Sequence, residues 1–263
     1  MSRGPIGVFD SGLGGLTVLR SLIDLVPDAS TIYFGDTGRF PYGDRTVREL
    51  VDYSREISAF LIDRGAALIV VACNSAASAA LEQLTNELSV PVVGVIEPGV
   101  RAAAKVTQTG RVGVIGTVGT IASGAYQRAM SRIAPDLELI CAACPGFVEF
   151  VERGDVDSDQ ARVLGERLLA PIRDCDVDTL VLGCTHYPLL ARTIGAVMGR
   201  DVVLVSSADE TAFEIRSMLA GEHRADAVVH RSFVTSGDPE MFGRLAARFL
   251  GPEVSVVERW SWT

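Results

Sequence analysis

The feature that most constrains the fold of this chain is an alternation of short apolar segments with longer segments of helical periodicity. The apolar segments are rich in Val, Ile and Leu and end at Gly, Asp, Cys or Pro. This alternation is typical of an α/β protein whose sheet is mostly parallel. We predict about eight such units, with strands at Ile6–Phe9, Thr31–Phe34, Leu68–Ala72, Pro91–Val95, Val112–Gly116, Leu137–Cys141, Thr179–Gly183 and Val202–Val205.

Helices are predicted from capping residues and periodicity. Thr46 followed by Glu49 has the spacing of a capping box, in which each side chain binds the other residue's backbone N–H. The predicted helices are Leu16–Leu25, Thr46–Arg64, Ser75–Leu88 and Gln160–Arg173. Because the carboxyl ends of parallel strands meet along one edge, residues that directly follow a strand are the first candidates for a site.

Composition and charge exclude several classes of protein. The chain has 263 residues, of which 48% are hydrophobic and 22% charged, an ordinary globular mixture that can form one or two domains. Its formal charge is −9 and it has no Lys/Arg cluster, so we expect no direct binding to nucleic acid or to an anionic membrane. Apolar runs such as Ala66–Ala72 are too short to cross a bilayer, and no secretory leader pattern is seen, so we expect a cytoplasmic protein.

The cysteines and the single lysine limit the possible chemistry. The five cysteines are an odd number and do not resemble a disulfide framework. Lys105 is the only lysine and has no phosphate-binding glycines beside it, which argues against a pyridoxal phosphate Schiff base. Cys141 and Cys144 have C-x-x-C spacing but no second pair, so we expect neither a metal nor a cofactor; the three histidines are scattered, at His186, His223 and His230.

Cys73 and Cys184 occupy matching positions in the sequence. Cys73 follows the strand Leu68–Ala72 and precedes a helix, and Cys184 follows the strand Thr179–Gly183. A helix N-terminus favours a thiolate, which can act as a base. A single cysteine is more often a buried core residue, but the pairing favours a catalytic role and an internal duplication with one thiol per lobe.

Other strand ends carry polar residues for which a structural explanation stays open. Asp10 and Ser11 lie in a glycine-rich turn that lacks the spacing of a nucleotide-binding loop; Asp10 is either a site carboxylate or an Asx-turn residue. The Pro41-Tyr42-Gly43 turn can present backbone N–H groups and a phenol to an anion. The hydroxyls of Thr117 and Thr120 suit a carboxylate or a helix cap.

Glu152 and His186 are weaker candidates when taken alone. Glu152 lies in a short amphipathic stretch, where most glutamates are solvated. His186 comes two residues after Cys184, close enough to place its ring against the thiol or against a substrate carboxylate. A buried histidine with only a structural role is the alternative.

Four segments together resemble the glutamate racemase family in composition, order and spacing. They are Phe9-Asp10-Ser11-Gly-x-Gly-Gly, Gly35-Asp36-Thr37 with Pro41-Tyr42-Gly43, Ala72-Cys73-Asn74-Ser75 and Gly183-Cys184-Thr185-His186-Tyr187-Pro188. The resemblance runs from about residue 6 to residue 250, and its most specific part is the Gly-Cys-Thr-His-Tyr-Pro segment. Ser75 stands where threonine is common in the family, and Gly146-Phe147 where bulkier residues are common.

The resemblance implies two pseudo-symmetric α/β lobes, residues 1–96 with 207–263 and residues 97–206, with the active site between the lobes. It implies that Cys73 and Cys184 are the two bases of a cofactor-independent racemase, with Asp10 assisting Cys73, and Glu152 and His186 assisting Cys184. The implied substrate-binding residues are Asp10, Ser11, Tyr42, Gly43, Asn74, Ser75, Thr185 and His186.

The resemblance also implies a biological role and partners. The family makes D-glutamate for peptidoglycan, its members form homodimers, and some are described as inhibitors of DNA gyrase. Two alternatives to glutamate racemisation therefore stay open: an aspartate racemase or related two-cysteine isomerase, and a gyrase-inhibiting binding protein.

Overall fold

The computed structural model describes residues 4–220, 228–254 and 256–262 of the chain. Its strands are β1 (Ile6–Asp10), β2 (Thr31–Gly35), β3 (Leu68–Val71), β4 (Val92–Gly94), β5 (Arg111–Gly116), β6 (Glu138–Ala143), β7 (Thr179–Gly183), β8 (Val203–Val205), β9 (Arg231–Thr235) and β10 (Val257–Arg259).

The helices alternate with these strands. The α-helices are α1 (Leu16–Leu25), α2 (Val47–Asp63), α3 (Asn74–Glu87), α4 (Ile96–Val106), α5 (Val118–Ala122), α6 (Ala125–Ile133), α7 (Phe147–Glu152), α8 (Asp159–Arg173), α9 (Ala191–Met198), α10 (Ala208–Met218) and α11 (Pro239–Leu250). Two 3₁₀-helices cover Tyr187–Leu190 and Gly251–Glu253.

The strands form two separate sheets in which every described strand pair is parallel. The first sheet has the order β10-β9-β2-β1-β3-β4 and the second the order β6-β5-β7-β8. By their contacts, the described residues of 1–95 and 211–263 form one compact unit, and residues 96–210 form another. The prediction of an α/β fold with parallel sheets flanked by helices is confirmed.

The central strands are mostly apolar because they are covered on both faces. All residues of β1, β2, β3 and β7 are buried, which is why these segments lack the polar alternation of a half-exposed strand. In the second unit Ile115, Leu180 and Leu182 pack in one cluster with Phe147 and Tyr187. This packing fixes the ends of β5 and β7, where candidate site residues begin.

Most predicted elements lie within one or two residues of the observed ones. The capping box is confirmed: the Thr46 hydroxyl accepts from the Glu49 N–H at 3.3 Å, and the Glu49 carboxylate accepts from the Thr46 N–H at 2.9 Å. Strands β9 and β10 were not among the predicted strands. In the described part of the chain, no helix is both long enough and apolar enough to span a membrane.

Candidate active site

Cys73 lies where β3 ends and α3 begins. It is the N-cap residue of α3, and its carbonyl accepts from the Ala77 N–H at 2.8 Å, but its thiol does not cap the helix. The thiol is buried and its Sγ lies 3.8 Å from Oγ of Ser11. Because the first N–H groups of α3 are directed toward this end of the helix, the position favours the thiolate form.

Asp10 and Ser11 reach this site from the neighbouring strand. Phe9 of β1 pairs with Val71 of β3, so Asp10 and Ser11 follow β1 at the same edge of the sheet as Cys73. Asp10 is fully buried, and its Oδ1 accepts from the Gly12 N–H at 2.9 Å. The Asx turn considered for Asp10 is therefore present, and the same residue is also placed beside the thiol-bearing loop.

Gly15 closes this turn around Asp10. A Cβ at Gly15 would lie 2.6 Å from Cβ of Asp10 and 2.9 Å from the Tyr33 hydroxyl, both too close for a side chain. The Tyr33 hydroxyl in turn donates to the Gly12 carbonyl at 2.9 Å. Glycine is therefore required here for close packing of the loop, and not for binding a nucleotide.

The Pro41-Tyr42-Gly43 loop differs in one respect from the expectation. Tyr42 is buried, and its hydroxyl donates to the Asp36 carboxylate instead of presenting a free proton to an anion. Burial raises the pKa of Tyr42 well above its usual value, and the charges of Asp36 and Cys73 raise it further. The phenol thus stays protonated near Cys73, and the backbone N–H groups of Tyr42 and Gly43 are the donors that this loop could offer a substrate.

Asp36 is a buried residue beside Tyr42 for which the sequence pattern predicted no separate role. Its carboxylate accepts from Tyr42, from Nε of Arg39 at 2.6 Å and from Oγ of Ser236 at 2.6 Å. The Arg39 guanidinium lies over the Trp262 ring, with its Cζ 3.5 Å from the ring centroid. The signals in the sequence were the position of Asp36 directly after β2 and its place in the family-like segment Gly35-Asp36-Thr37.

Cys184 has a different set of partners in the second unit. Its buried Sγ lies 3.9 Å from Nδ1 of His186, and Nε2 of His186 lies 2.7 Å from Oε1 of Glu152. An ionised Glu152 assigns the ring proton to Nε2, which leaves Nδ1 to accept from the Cys184 thiol or, in the imidazolium, to donate to its thiolate. This arrangement can hold and release a proton at Sγ.

The helix-terminus argument that applies to Cys73 does not apply to Cys184. Cys184 is followed by a turn, then by the 3₁₀-helix Tyr187–Leu190 and only then by α9. His186, and not Cys184, is the residue that precedes this 3₁₀-helix. The two thiols therefore share a position at the end of a strand but differ in what stabilises their charge.

The structure places the remaining predicted residues as follows. Glu152 is the last residue of α7, and its side chain is about 30% exposed, so it is partly covered by its contact with His186. Asn74 and Ser75 are buried in the first turn of α3, and Thr185 is buried beside Cys184. Glu152 and His186 are thus brought to Cys184, and Asp10, Ser11, Tyr42, Asn74 and Ser75 to the neighbourhood of Cys73.

Thr117 has the capping role that was left open. Its side chain accepts from the Thr120 N–H at 3.3 Å and lies 3.0 Å from the Thr120 hydroxyl, at the start of α5. Both residues follow β5, the strand that pairs with β7.

The other three cysteines are set apart by their surroundings. Burial raises the pKa of Cys141 to about 11, and burial together with the charge of Cys184 raises the pKa of Cys144 to about 12. The Cys175 thiol donates to the Pro171 carbonyl at 3.2 Å. Within residues 4–220, 228–254 and 256–262 no three metal-ligating side chains are grouped together, and His223 lies outside these ranges.

Comparison with known proteins shows the family of this chain. The profile of the Asp/Glu/Hydantoin racemase family matches residues 6–214. A glutamate racemase of Geobacter metallireducens is 50% identical over 256 residues, which cover 96% of this chain and 94% of that protein. The chain belongs to the glutamate racemase family. The prediction of an amino-acid racemase, an isomerase, is confirmed.

Solved glutamate racemases share the whole fold. The isoform RacE1 of Bacillus anthracis is 41% identical and superposes with a TM-score of 0.91, covering 99% of this chain and 97% of that one. A glutamate racemase of Francisella tularensis, crystallised in complex with D-glutamate, is 30% identical with a TM-score of 0.90, covering 99% of this chain and 98% of that one. These relatives support a small-molecule substrate.

An aspartate racemase of Picrophilus torridus has a less similar structure. It is 17% identical with a TM-score of 0.59 and covers 82% of this chain. That likeness shows a shared fold only. It contrasts with the nearly full-length similarity to the glutamate racemases.

Proposed function

We propose that this racemase interconverts L- and D-glutamate by two-base proton transfer between Cys73 and Cys184. The observation that carries the proposal is that each unit holds a buried thiol directly after a parallel strand with a polar side chain close to its Sγ: Ser11 Oγ lies 3.8 Å from Cys73, and His186 Nδ1 lies 3.9 Å from Cys184. Racemisation requires a proton to leave one face of the α-carbon and another to reach the opposite face, so it requires two such groups.

The proposed step balances without a cofactor. One thiolate removes the α-proton and becomes a thiol, the electron pair stays on the α-carbon, and the other thiol donates its proton to the opposite face and becomes a thiolate. The enzyme is then in the protonation state needed to act on the opposite enantiomer. Exchange of protons with solvent restores the first state.

The two thiols are supported in different ways. Cys184 gains from His186, since an imidazolium held by Glu152 stabilises a thiolate at 3.9 Å, and a neutral ring accepts the thiol proton. Cys73 gains from the N-terminus of α3 and from the Ser11 hydroxyl, and we assign Asp10 as its assisting carboxylate.

Binding of an acidic substrate to a chain of charge −9 needs local donors. We assign substrate binding to Asp10, Ser11, Tyr42, Gly43, Asn74, Ser75, Thr185 and His186. Backbone N–H groups at the start of α3 and in the Tyr42–Gly43 turn supply partial positive charge for a carboxylate, and the hydroxyls of Ser11, Ser75 and Thr185 supply further donors. Donors aimed at the α-carboxylate also stabilise the negative charge that develops when the α-proton leaves.

Incubation of the purified protein with L-glutamate in deuterated water tests the proposal. We expect D-glutamate to appear with deuterium at the α-carbon, because the returning proton comes from a thiol that exchanges with solvent. If neither α-deuterium nor D-glutamate is formed, the proposal is wrong. Parallel incubation with L-aspartate decides the alternative, since faster turnover of aspartate would identify an aspartate racemase.

The wider role follows from the resemblance and forms part of the proposal. In this proposal the protein is a homodimer that acts in the cytoplasm and supplies D-glutamate for peptidoglycan. Light scattering measures the molar mass and so tests the dimer. Inhibition of DNA gyrase is a separate hypothesis. A supercoiling assay with the Cys73→Ser/Cys184→Ser double variant tests it, because a binding function independent of catalysis would survive in that variant.

A further inference from the structure

Tyr187 is a fully buried residue beside the Cys184 site. It begins the 3₁₀-helix Tyr187–Leu190, directly after His186. Its backbone N–H donates to the Cys184 carbonyl at 3.1 Å, and its hydroxyl donates to the Cys144 carbonyl at 3.1 Å. Through these two bonds Tyr187 connects the loop that carries Cys184 and His186 to the segment that follows β6.

The segment that receives the Tyr187 hydroxyl leads directly to Glu152. Cys144 follows β6, and α7 begins at Phe147 and ends at Glu152. The rings of Phe147 and Tyr187 meet edge to face with centroids 5.4 Å apart. Gly146 has φ +93, and a Cβ there would lie 2.9 Å from a Leu164 methyl group, so the chain follows a restricted path into α7.

The position of Glu152 depends on such contacts. Helix α7 has only six residues, too few to be stable without tertiary packing. The Tyr187 contacts lie at its first turn, and the Glu152–His186 contact at its last residue. Burial raises the pKa of Tyr187 well above its usual value, with smaller contributions from Cys184, Cys144 and Glu149, so its hydroxyl stays protonated and can donate to the Cys144 carbonyl.

We propose that Tyr187 is a positioning residue for the Cys184 base: by holding the start of α7 against the loop of Cys184, it sets the contact between Glu152 and His186. The inference rests on the proposed function, because it assigns Tyr187 to the support of one of the two proton-transfer groups. Tyr187 does not touch the reacting atoms in this scheme and acts only through Glu152 and His186.

The variant Tyr187→Phe removes the hydroxyl and keeps the ring. We expect kcat/KM to fall roughly tenfold, which is less than the 100-fold that a 1 Å misplacement can cost. The fall is expected to be equal for L- and D-glutamate, because the equilibrium constant of a racemisation is 1. Tyr53→Phe is the matched control: its part-buried hydroxyl makes a long contact of 3.5 Å with Glu49. Phenylalanine keeps the ring that packs against Tyr42 and Arg39, so we expect unchanged kinetics.

A double-mutant cycle separates positioning from general loosening of the structure. If Tyr187 acts through Glu152, the Tyr187→Phe change costs less than about twofold in a Glu152→Gln background but keeps its full cost in an Asp10→Asn background. Phe147→Leu perturbs the same contact from α7 and is expected to behave alike, which covers the case in which Tyr187→Phe does not fold.

Two results would overturn the inference: a cost that is the same in both backgrounds, or no cost in either. Both results can be obtained only if the wild-type protein racemises glutamate. If the wild type instead fails to form α-deuterated D-glutamate, it is the proposed function that is lost, so the two failures can be told apart.

Discussion

Oε1 of Glu152 lies 2.7 Å from Nε2 of His186, and this contact directs the other ring nitrogen toward Sγ of Cys184, 3.9 Å away. Cys73 has a different neighbour, the Ser11 hydroxyl at 3.8 Å. Two chemically equal thiols are thus supported by unequal surroundings. An imidazole and a carboxylate serve one thiol, and a helix N-terminus and a hydroxyl serve the other.

Replacement of either candidate base is expected to abolish racemisation. Serine is far less acidic than cysteine, so Cys73→Ser or Cys184→Ser removes a proton-transfer group, and we expect turnover to fall by about 10³-fold or more. Circular dichroism of the glutamate solution follows the reaction. Cys175→Ser is the control, since this thiol contacts the Pro171 carbonyl, and its activity should match the wild type. Normal turnover in either of the first two variants would refute the two-base assignment.

Loss of the Glu152 charge is expected to slow the reaction. In Glu152→Gln a neutral amide replaces the carboxylate that stabilises an imidazolium at His186. We expect kcat/KM to fall roughly tenfold to a hundredfold, equally for both enantiomers. Glu149→Gln changes another exposed carboxylate of the same helix and leaves the Glu152–His186 contact in place, so it serves as the matched control. Equal activities of the two variants would show that the Glu152–His186 contact has no role in turnover.

Asp178 is expected to make the free energy of unfolding fall at acidic pH. Although burial opposes it, hydrogen bonds from the Thr107 hydroxyl and from the N–H groups of Gln108 and Thr109 hold the pKa of Asp178 well below its usual value. A carboxyl whose folded pKa is lowered stabilises the protein above its unfolded pKa of about 3.9 and loses this contribution as pH falls toward the folded value.

Urea unfolding at pH 7 and at about pH 3 tests this expectation. The difference in free energy of unfolding between wild type and Asp178→Asn should be larger at pH 7 than at low pH. Asp136→Asn changes an exposed carboxyl and should show no such trend. A difference that is the same at both pH values would contradict the assignment.

Two glycines are expected to respond oppositely to alanine. A Cβ at Gly183 would lie 2.6 Å from the Ile115 carbonyl, so Gly183→Ala should lower the free energy of unfolding by about 1–3 kcal/mol. A Cβ at Gly195, inside α9, would meet its nearest neighbour outside the helix, a Leu204 methyl group, at the ordinary contact distance of 3.7 Å. Gly195→Ala should therefore raise the free energy of unfolding by about 0.5–1 kcal/mol. Thermal or urea unfolding measures the change in each variant. If Gly195→Ala were destabilised, α9 would have no room for the added methyl group.

Some elements could be predicted because their signal is local. The helix at Val47–Asp63 has a capping box and a long periodic pattern, and the strands β3 and β7 are continuous apolar runs. Strands β9 and β10 were missed, although β9 pairs with β2 in the register Thr31↔Arg231. Their segments are short and partly polar, and they become strands because partners distant in sequence supply the hydrogen bonds.

The candidate site shows the same division. Cys73 and Cys184 could be found because each directly follows an apolar strand. The contacts of Tyr42 with Asp36 and of Tyr187 with the Cys144 carbonyl could not, since a short motif does not show which buried acceptor a hydroxyl will meet.

The sequence by itself determined the parallel α/β architecture, the two strand-end thiols and the family, because hydrophobic periodicity and motif order are carried by neighbouring residues. Only the tertiary structure decided what stands beside each thiol. His186 and Glu152 are far apart in sequence, and their 2.7 Å contact exists because β6, α7 and the loop after β7 pack together. The charge on a buried thiol depends on such neighbours at a few ångströms, and the order of residues along the chain does not give those distances.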